Sequence, residues 1–223
     1  MLRGKRITVV IPCHNEEDGI AHVLKNMPSC VDEVVVVDNA STDKTAEVAK
    51  SLGAKVVYEP RKGYGAAYKA GIPAATGDVV VTMDGDGSYP QESIGEVTEF
   101  MLDRDLDFVS ACRFPLANQK SMNFSNWIGN MILTSAMFLL YMRRIRDSQS
   151  GMWFFKRSIY PLLEVTSDGM PFSEEIKIEA IKNRQIKFAE YHVNYHIRIG
   201  TVKLRKWADG FENLIFLVKK RFS

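Results

Sequence analysis

Two aspartates, Asp84 and Asp86, form the pattern with the clearest chemistry in the sequence. They stand two residues apart, directly after a β-branched run that ends at Met83. Because side chains at i and i+2 of an extended chain point the same way, their carboxylates can act together. Carboxylate oxygens suit Mg²⁺ and Mn²⁺, and magnesium usually completes its coordination with water and substrate phosphates. The pair therefore predicts a metal site for a nucleotide diphosphate, although an Asp-Gly turn explains the same residues without a metal.

Three further polar clusters follow predicted strands. Residues 12–17 (PCHNEE) follow the first strand, Asp38 closes the second, and Arg61-Lys62-Gly63 follows the third. Asp38 can accept hydrogen bonds from a nucleobase or a ribose, or it can form a turn before a capped helix. Lys62 and Gly63 place a cation and flexible backbone near the same edge, but the spacing is that of neither the P-loop nor the GxGxxG motif. Four strand ends with polar clusters in one sequence favour a ligand-binding site at this edge of the sheet.

The elements that position these clusters alternate between strands and helices. Continuous β-branched runs predict buried strands over residues 7–11, 34–37, 55–58, 78–83 and 107–111, with later strand material at 153–155 and 188–198. Helices are predicted over 20–27, from Ser41 or Thr42 as N-cap to Leu52, and within 63–75. This alternation predicts an α/β fold with an open, mostly parallel sheet flanked by helices. Ligands of such sheets bind beyond the carboxyl ends of the strands, where the polar clusters stand.

The composition is that of an ordinary globular protein. Of 223 residues, 46% are hydrophobic and 25% are charged, which excludes disordered, collagen-like and coiled-coil classes and predicts a single domain over 1–223. Three cysteines without a CxxC pair argue against a disulfide scaffold and a structural zinc site. The first hundred residues carry 10 basic and 15 acidic side chains, whereas the remainder carries 19 and 12. An acidic half is therefore followed by a basic half.

Two apolar segments lie in the basic half, at about 121–145 and 209–222. Both end in basic residues, Arg143, Arg144 and Arg146 in the first case. The apolar part of the first, residues 131–142, would extend only about 18 Å as a helix, against the roughly 30 Å of a hydrocarbon core. The segments are interpreted either as buried core helices or as amphipathic helices in a membrane interface. The amino-terminal residues do not form a signal peptide, so a cytoplasmic protein with reduced thiols is expected.

Four motifs, in order and spacing, resemble family 2 of the glycosyltransferases, which have the GT-A fold: IPCHNEE, VVDNASTDKT, RKGYGAAYKAG and MDGDGSYPQE. The later motifs DSQSGM, PFSEEI and RIGTVKL are similar to those of the dolichyl- and polyprenyl-phosphate sugar synthase branch. The resemblance implies a metal-dependent, inverting enzyme that uses Mg²⁺ or Mn²⁺. Such an enzyme moves a hexose from GDP-mannose or a UDP-sugar to a polyprenyl or dolichyl phosphate. It also implies a nucleotide-sugar-binding half over 1–115 and an acceptor-binding half over 116–223.

The resemblance assigns roles to matched positions. The positions matched to the nucleotide sugar are Pro12, Asn15, Glu16, Asp38, Asp84, Asp86, Arg198 and Lys203, and Lys62 and Gly63 join them from the residue pattern. Asp84 and Asp86 are the implied metal ligands, and Arg113 matches an arginine that reaches the phosphates. Departures from the family are Asn39 for a second aspartate, Ser88 for a glutamine, and Met122 for an arginine. Lys120 or Arg143 is expected to replace that arginine at the acceptor phosphate.

The acceptor decides whether a catalytic base is needed. A sugar hydroxyl loses a proton during attack, so Glu175 or Asp147 would then be the base. A phosphate monoester, with a second pKa near about 6, is largely dianionic at pH 7 and needs only cations. The basic, partly apolar second half favours the lipid phosphate, with Asp86 and Arg113 in catalytic roles and peripheral contact at the cytosolic face of a membrane. The alternatives are a hydroxyl or glycan acceptor and a non-catalytic nucleotide-binding membrane partner, whereas no known nucleic-acid module is present.

Overall fold

The computed structural model describes residues 1–200 and 206–222. Its strands are β1 (Ile7–Cys13), β2 (Glu33–Asp38), β3 (Lys55–Tyr58), β4 (Val79–Thr82), β5 (Phe108–Cys112), β6 (Trp153–Lys156) and β7 (Phe188–His192). Its helices are α1 (Glu17–Lys25), α2 (Thr45–Ser51), α3 (Tyr64–Gly71), α4 (Ile94–Asp103), α5 (Phe124–Tyr141), α6 (Phe172–Lys182) and α7 (Lys206–Phe222). The strands form one sheet in the order β3-β2-β1-β4-β6-β5-β7.

The sheet is mostly parallel, as predicted. Strands β3, β2, β1 and β4 run parallel to one another, and β7 runs parallel to β5. Only β6 is antiparallel to its neighbours, β4 and β5. The pairing of β1 with β2 places Cys13 opposite Asp38, so the polar residues after these strands meet at one edge.

Helices cover both faces of the sheet, which explains the unbroken apolar runs of its central strands. Along β1, Val9 and Ile11 belong to a core shared with α1, α2 and α4, whereas Val10 belongs to a core shared with α3 and α6. All three are fully buried. The strand period of two therefore divides one apolar run between two cores, and the polar residues are left at the strand ends.

Helices α5 and α7 pack on each other and form a third core. Leu133 and Met137 of α5 meet Leu217 of α7, and all three are buried. At the carboxyl ends of the two helices, the Tyr141 hydroxyl donates to the Leu217 carbonyl at 3.1 Å, and Arg221 Nε donates to the Leu140 carbonyl at 2.7 Å. None of the helices described is both long and apolar enough to cross a membrane.

Two of the predicted boundaries that differ from the structure lie at the site edge. Helix α2 begins at Thr45 rather than after Ser41 or Thr42, since the backbone amides of those two residues donate to Asp38 and Asn15. The last strand ends at His192 instead of continuing to residue 198. Beyond it the chain leaves the sheet and crosses the loop after β4.

Candidate active site

The carboxylates of Asp84 and Asp86 lie at the carboxyl end of β4, beside the ends of β1 and β2. The Tyr64 hydroxyl donates to Asp84 Oδ1 at 3.1 Å. Ser88 donates to Asp86 Oδ1 from its backbone amide at 2.9 Å and from its hydroxyl at 2.5 Å. Burial, followed by the charge of Asp86, raises the pKa of Asp84 to about 7. Two carboxylates are thus held close together in a site where their negative charge is poorly solvated.

This donor set fits a divalent cation whose coordination is completed by a ligand. Within residues 1–200 and 206–222, no group of three or more His, Cys, Asp or Glu side chains could hold a metal. Two carboxylates without a third protein ligand suit Mg²⁺ or Mn²⁺, which keeps waters and takes substrate phosphate oxygens. Asp84 and Asp86 are the residues that would hold the ion.

Arg198 lies across the acidic pair from the segment that follows β7. Its Nη2 is 3.3 Å from Glu16 Oε1 and 3.4 Å from Asp86 Oδ2. The segment is fixed on the loop after β4 because the His196 amide donates to the Ser88 carbonyl and the Ile199 amide donates to the Asp86 carbonyl, each at 2.8 Å. The structure therefore brings Glu16 and Arg198 close to Asp86, whereas Lys203 lies outside the described residues.

The ends of β1 and β2 lie at the same edge of the sheet as the acidic pair. Asn15, in a left-handed conformation with φ 54°, accepts the Thr42 amide at 2.7 Å. The Ser41 amide donates to Asp38 Oδ1 at 3.0 Å. Among the described contacts, Oδ2 of Asp38 has no hydrogen-bond partner, and Pro12 lies half-buried near the end of the neighbouring strand.

Asn39 explains one departure from the family pattern. Its Nδ2 donates to the carbonyls of Glu59 and Arg61 at 3.0 and 2.7 Å, and its Oδ1 accepts the Gly63 amide at 2.8 Å. This one amide side chain therefore holds the 59–63 loop, which carries Lys62 and Gly63, against the end of β2. An aspartate could accept the Gly63 amide but could not donate to the two carbonyls.

Replacing Asn39 by aspartate is expected to destabilise the protein although it restores the usual family residue. The Glu59 and Arg61 carbonyls would lose their donor and face a carboxylate, at a cost of about 1–3 kcal/mol for the buried Glu59 carbonyl. Thermal unfolding measures the effect, and the midpoint temperature should fall. The control is Asn26→Asp, where an exposed amide donates only to the His22 carbonyl. If Asn39→Asp unfolds at the same temperature as Asn26→Asp, the role given to Asn39 is wrong.

Arg113 and Asp147 form a buried ion pair next to the acidic pair. Arg113 Nε and Nη2 donate to Asp147 Oδ2 and Oδ1 at 2.7 and 2.8 Å, and its backbone amide donates to Oδ2 at 3.0 Å. Asn130 of α5 donates to Oδ1 at 2.7 Å. Although burial alone raises the pKa of Asp147, the charge and hydrogen bonds of Arg113 bring it down to about 2. Asp147 is therefore the fixed partner of Arg113, not a carboxylate free to accept a proton.

Glu175, the other expected base, is also engaged. Its Oε2 accepts the amides of Thr166 and Ser167 at 2.9 and 2.8 Å, and its Oε1 accepts the Thr166 hydroxyl at 2.9 Å and Lys220 Nζ at 3.1 Å. The side chain is completely buried. These contacts argue against Glu175 as a base, because every oxygen lone pair has a donor.

Sequence reasoning missed Lys177, which is completely buried in α6. Its Nζ donates to the carbonyls of Asp147, Ser148 and Ser150 at 3.1, 2.5 and 2.8 Å. Burial lowers the pKa of Lys177 to about 8. Lys177 thus fixes the 147–151 loop, whose Gly151 lies so near Tyr64 and Asp84 that a Cβ atom there would overlap the Tyr64 hydroxyl.

Lys120 and Arg143, the cations expected at the acceptor phosphate, are placed differently. Both side chains are exposed, Lys120 in a short turn before α5 and Arg143 just beyond it. No described ion pair or side-chain hydrogen bond joins either of them to the aspartates. Of Arg113, Lys120 and Arg143, it is Arg113 that lies near the acidic pair.

The fold is that of the GT-A class of glycosyltransferases. Residues 8–162 match the family model described as glycosyl transferase family 2, and the chain belongs to that family. It is 32% identical over 207 residues to the dolichyl-phosphate hexose transferase of Haloferax volcanii, which covers 92% of this chain and 89% of the relative.

Other relatives are longer than the matched region. The low-salt glycan biosynthesis hexosyltransferase Agl6 of Haloferax volcanii is 30% identical over 220 residues, 95% of this chain and 53% of the relative. An uncharacterised glycosyltransferase of Mycobacterium tuberculosis is 44% identical over 116 residues, 52% of each chain. This chain thus spans about half the length of these relatives.

The solved structures support the fold. Glucosyl-3-phosphoglycerate synthase from Mycobacterium tuberculosis, crystallised with Mg²⁺ and UDP, superposes with a TM-score of 0.80 at 21% identity. The superposition covers 98% of this chain and 79% of the synthase. At this identity the likeness shows a common fold.

Proposed function

We propose that this enzyme transfers a hexose, with inversion, from GDP-mannose or a UDP-sugar to a polyprenyl or dolichyl phosphate at a membrane surface. The observation that carries the proposal is the convergence of Asp84 and Asp86 with Arg113 and Arg198 at one edge of the sheet. The dolichyl-phosphate hexose transferase of Haloferax volcanii, similar over nearly its whole length, supports the acceptor class.

On the donor side, we assign the nucleoside to the ends of β1 and β2, where Asp38 offers a carboxylate oxygen and Asn15 and Glu16 shape the loop. The diphosphate lies between the 59–63 loop, with Lys62 and Gly63, and the acidic pair. A bound Mg²⁺ or Mn²⁺ supplies Lewis-acid stabilisation of the charge that develops on the leaving diphosphate. Arg198 adds positive charge beside the acidic pair, and the family resemblance gives Lys203 the same role.

On the acceptor side, the engagement of both candidate bases favours a phosphate acceptor over a hydroxyl acceptor. Asp147 is paired with Arg113, and Glu175 is fully occupied. A hydroxyl acceptor needs proton removal, whereas a dianionic phosphate needs a cation to orient it. Arg113 is held by Asp147 with its remaining Nη1 unengaged among the described contacts, and we assign it to the phosphates. Arg143 and Lys120 are then outer cations that meet the phosphate as it approaches.

The α5–α7 pair provides a surface suited to lipid. Exposed apolar side chains occur along both helices: Phe124, Ile128, Met131, Ile132, Phe138, Leu139, Met142, Phe211, Ile215, Val218 and Phe222. Arg143 and Arg144 follow α5, and Lys219 and Arg221 end α7, so the apolar surface is bordered by positive charge. Apolar side chains beside cations favour binding to the interface of an anionic membrane.

Replacing Leu139 by glutamate is expected to weaken binding to anionic vesicles by about tenfold, since burying one leucine is worth roughly 1.5–3 kcal/mol. Leu139 is 71% exposed near the end of α5, so the change leaves the core intact. Co-sedimentation with phosphatidylglycerol vesicles measures the partition. Leu52→Glu, at an exposed apolar residue after α2, is the control and should bind like the wild type. Equal binding of all three proteins would show that this part of α5 does not contact lipid.

A donor screen tests the proposal. The protein is incubated with polyprenyl phosphate, Mn²⁺ and each common nucleotide sugar, and mass spectrometry follows consumption of the donor and formation of a glycosylated lipid phosphate. One hexose donor should yield a polyprenyl-phosphate hexose. Transfer only to soluble glycan acceptors under the same conditions would favour the hydroxyl alternative.

A further inference from the structure

The segment 164–169 lies against the beginning of α3, at the loop assigned to the donor diphosphate. The amides of Gly65 and Ala66 donate to the carbonyls of Gly169 and Asp168 at 3.2 and 3.0 Å. Gly63 has φ 151°, and a Cβ atom there would overlap the Asp168 carbonyl. The first amides of α3, which have no partners within the helix, are thus satisfied by this segment. Its position therefore determines where Gly63 and its neighbours stand.

The segment is held in turn by Glu175 of α6. Glu175 accepts two backbone amides and one hydroxyl from Thr166 and Ser167. A buried carboxylate that accepts several hydrogen bonds fixes a loop firmly, but its charge is costly without a cation. Lys69 of α3 adds a further link, since its Nζ donates to the Thr166 carbonyl at 2.7 Å.

The cation comes from α7. Lys220 Nζ lies 3.1 Å from Glu175 Oε1 and 3.0 Å from Glu179 Oε1, and it donates to the Glu164 carbonyl at 3.0 Å. Its side chain is only 15% exposed. One lysine near the end of α7 therefore contacts both the carboxylate that fixes segment 164–169 and the segment itself.

We propose that Lys220 and Glu175 are a positioning pair through which α7 holds the donor loop in its binding conformation. This inference rests on the proposed function, in which Lys62 and Gly63 contact the nucleotide sugar. Contacts run from Lys220 to Glu175, through segment 164–169, to Gly65 and Ala66 at the start of α3. Tyr64 stands between these residues and Gly63, and its hydroxyl donates to Asp84. Helix α7 also carries part of the exposed apolar surface. The helix that is proposed to contact lipid therefore also supports the donor site.

The test is Lys220→Met, assayed without lipid for binding of Mn²⁺–UDP or Mn²⁺–GDP by calorimetry and with lipid phosphate for kinetics. Loss of one charged contact is expected to lower nucleotide affinity about tenfold. The KM for the donor should rise by a similar factor while kcat stays within about twofold, because the pair acts on binding and touches no reacting atom. The matched control is Lys182→Met, which removes an exposed lysine 3.9 Å from the same Glu179 without reaching Glu175.

Two further variants separate positioning from folding and from base catalysis. Lys220→Arg keeps the charge and should restore affinity to within about twofold of the wild type. Glu175→Gln should resemble Lys220→Met in its raised KM and should keep the wild-type pH profile. A loss of kcat of about 10²–10⁴-fold with loss of the basic pH dependence would make Glu175 a base and overturn the inference.

The remaining outcomes distinguish this inference from the proposed function. A wild-type protein that binds nucleotide, together with a Lys220→Met variant of equal affinity and equal KM, overturns the inference and leaves the proposed function standing. A wild-type protein that binds neither nucleotide in the presence of Mn²⁺ contradicts both.

Discussion

Asp86→Asn should lower kcat/KM for hexose transfer by about 10²–10³-fold, because a metal ligand aimed at the developing charge of the leaving diphosphate is lost. The substitution keeps the side-chain shape and an oxygen for the Ser88 amide, which donates at 2.9 Å. The fold should therefore survive while affinity for Mn²⁺ in the presence of nucleotide falls. Steady-state kinetics and a Mn²⁺ titration measure the two effects.

The matched control for this prediction is Asp78→Asn, an exposed aspartate just before the same strand. Asp78 accepts the Arg6 amide at 2.9 Å and lies at the opposite end of β4 from the acidic pair. Its replacement should leave Mn²⁺ affinity and kcat/KM unchanged. An Asp86→Asn enzyme with wild-type kinetics would show that the acidic pair does not form the metal site.

Asp147→Asn is expected to damage both stability and activity. It leaves the Arg113 guanidinium buried without its counter-charge, and breaking a buried pair in this way costs about 3–5 kcal/mol. Arg113 would also lose the two-point contact that orients it toward the phosphates. Chemical denaturation measures the first effect, and kcat with lipid phosphate measures the second.

The double variant Arg113→Met/Asp147→Leu separates these effects. Replacing a buried ion pair by apolar residues of similar size is often neutral for stability, so the double variant should recover most of the loss. It should remain inactive, because the cation is gone. A double variant as active as the wild type would remove Arg113 from the proposed mechanism.

The contribution of the Arg113–Asp147 pair to the free energy of unfolding should decrease as the pH falls. The folded-state pKa of Asp147, at about 2, lies below its ordinary value of 3.8. A carboxylate with a depressed pKa contributes stability that is fully present above its unfolded pKa and is lost as the pH falls through the folded one. The difference in unfolding free energy between wild type and Asp147→Asn should be constant above about pH 4 and should narrow toward pH 2.

Much of the donor half could be predicted because its local patterns agree with its tertiary structure. β-branched runs such as 34–37 are buried on both faces in the parallel sheet, so they leave little alternative to a strand. Polar residues that follow four such runs must meet where parallel strands end. The antiparallel placement of β6 leaves no comparable signal, because an apolar strand reads the same in either direction.

The partners of the charged residues could not be predicted. Helix α6 is buried on every side from Phe172 to Ala180, so Glu175 and Lys177 look like solvent-facing residues in the sequence but lie inside the protein. Their contacts with α7 and the 147–150 loop join residues far apart in the chain. Asn39 is similar, since its amide matters only once the 59–63 loop is folded against it. Sequence shows which groups are chemically able to act, and packing decides which of them are already engaged.

The most direct measurement offers the purified protein polyprenyl phosphate and polyprenol of the same chain length together, with the donor found in the screen and Mn²⁺. The expected product is a polyprenyl-phosphate hexose. NMR should show that its anomeric configuration is inverted relative to the donor, and chelation of the metal should stop its formation. Transfer to polyprenol instead of polyprenyl phosphate, or transfer to the phosphate with retained configuration, would contradict the proposed function.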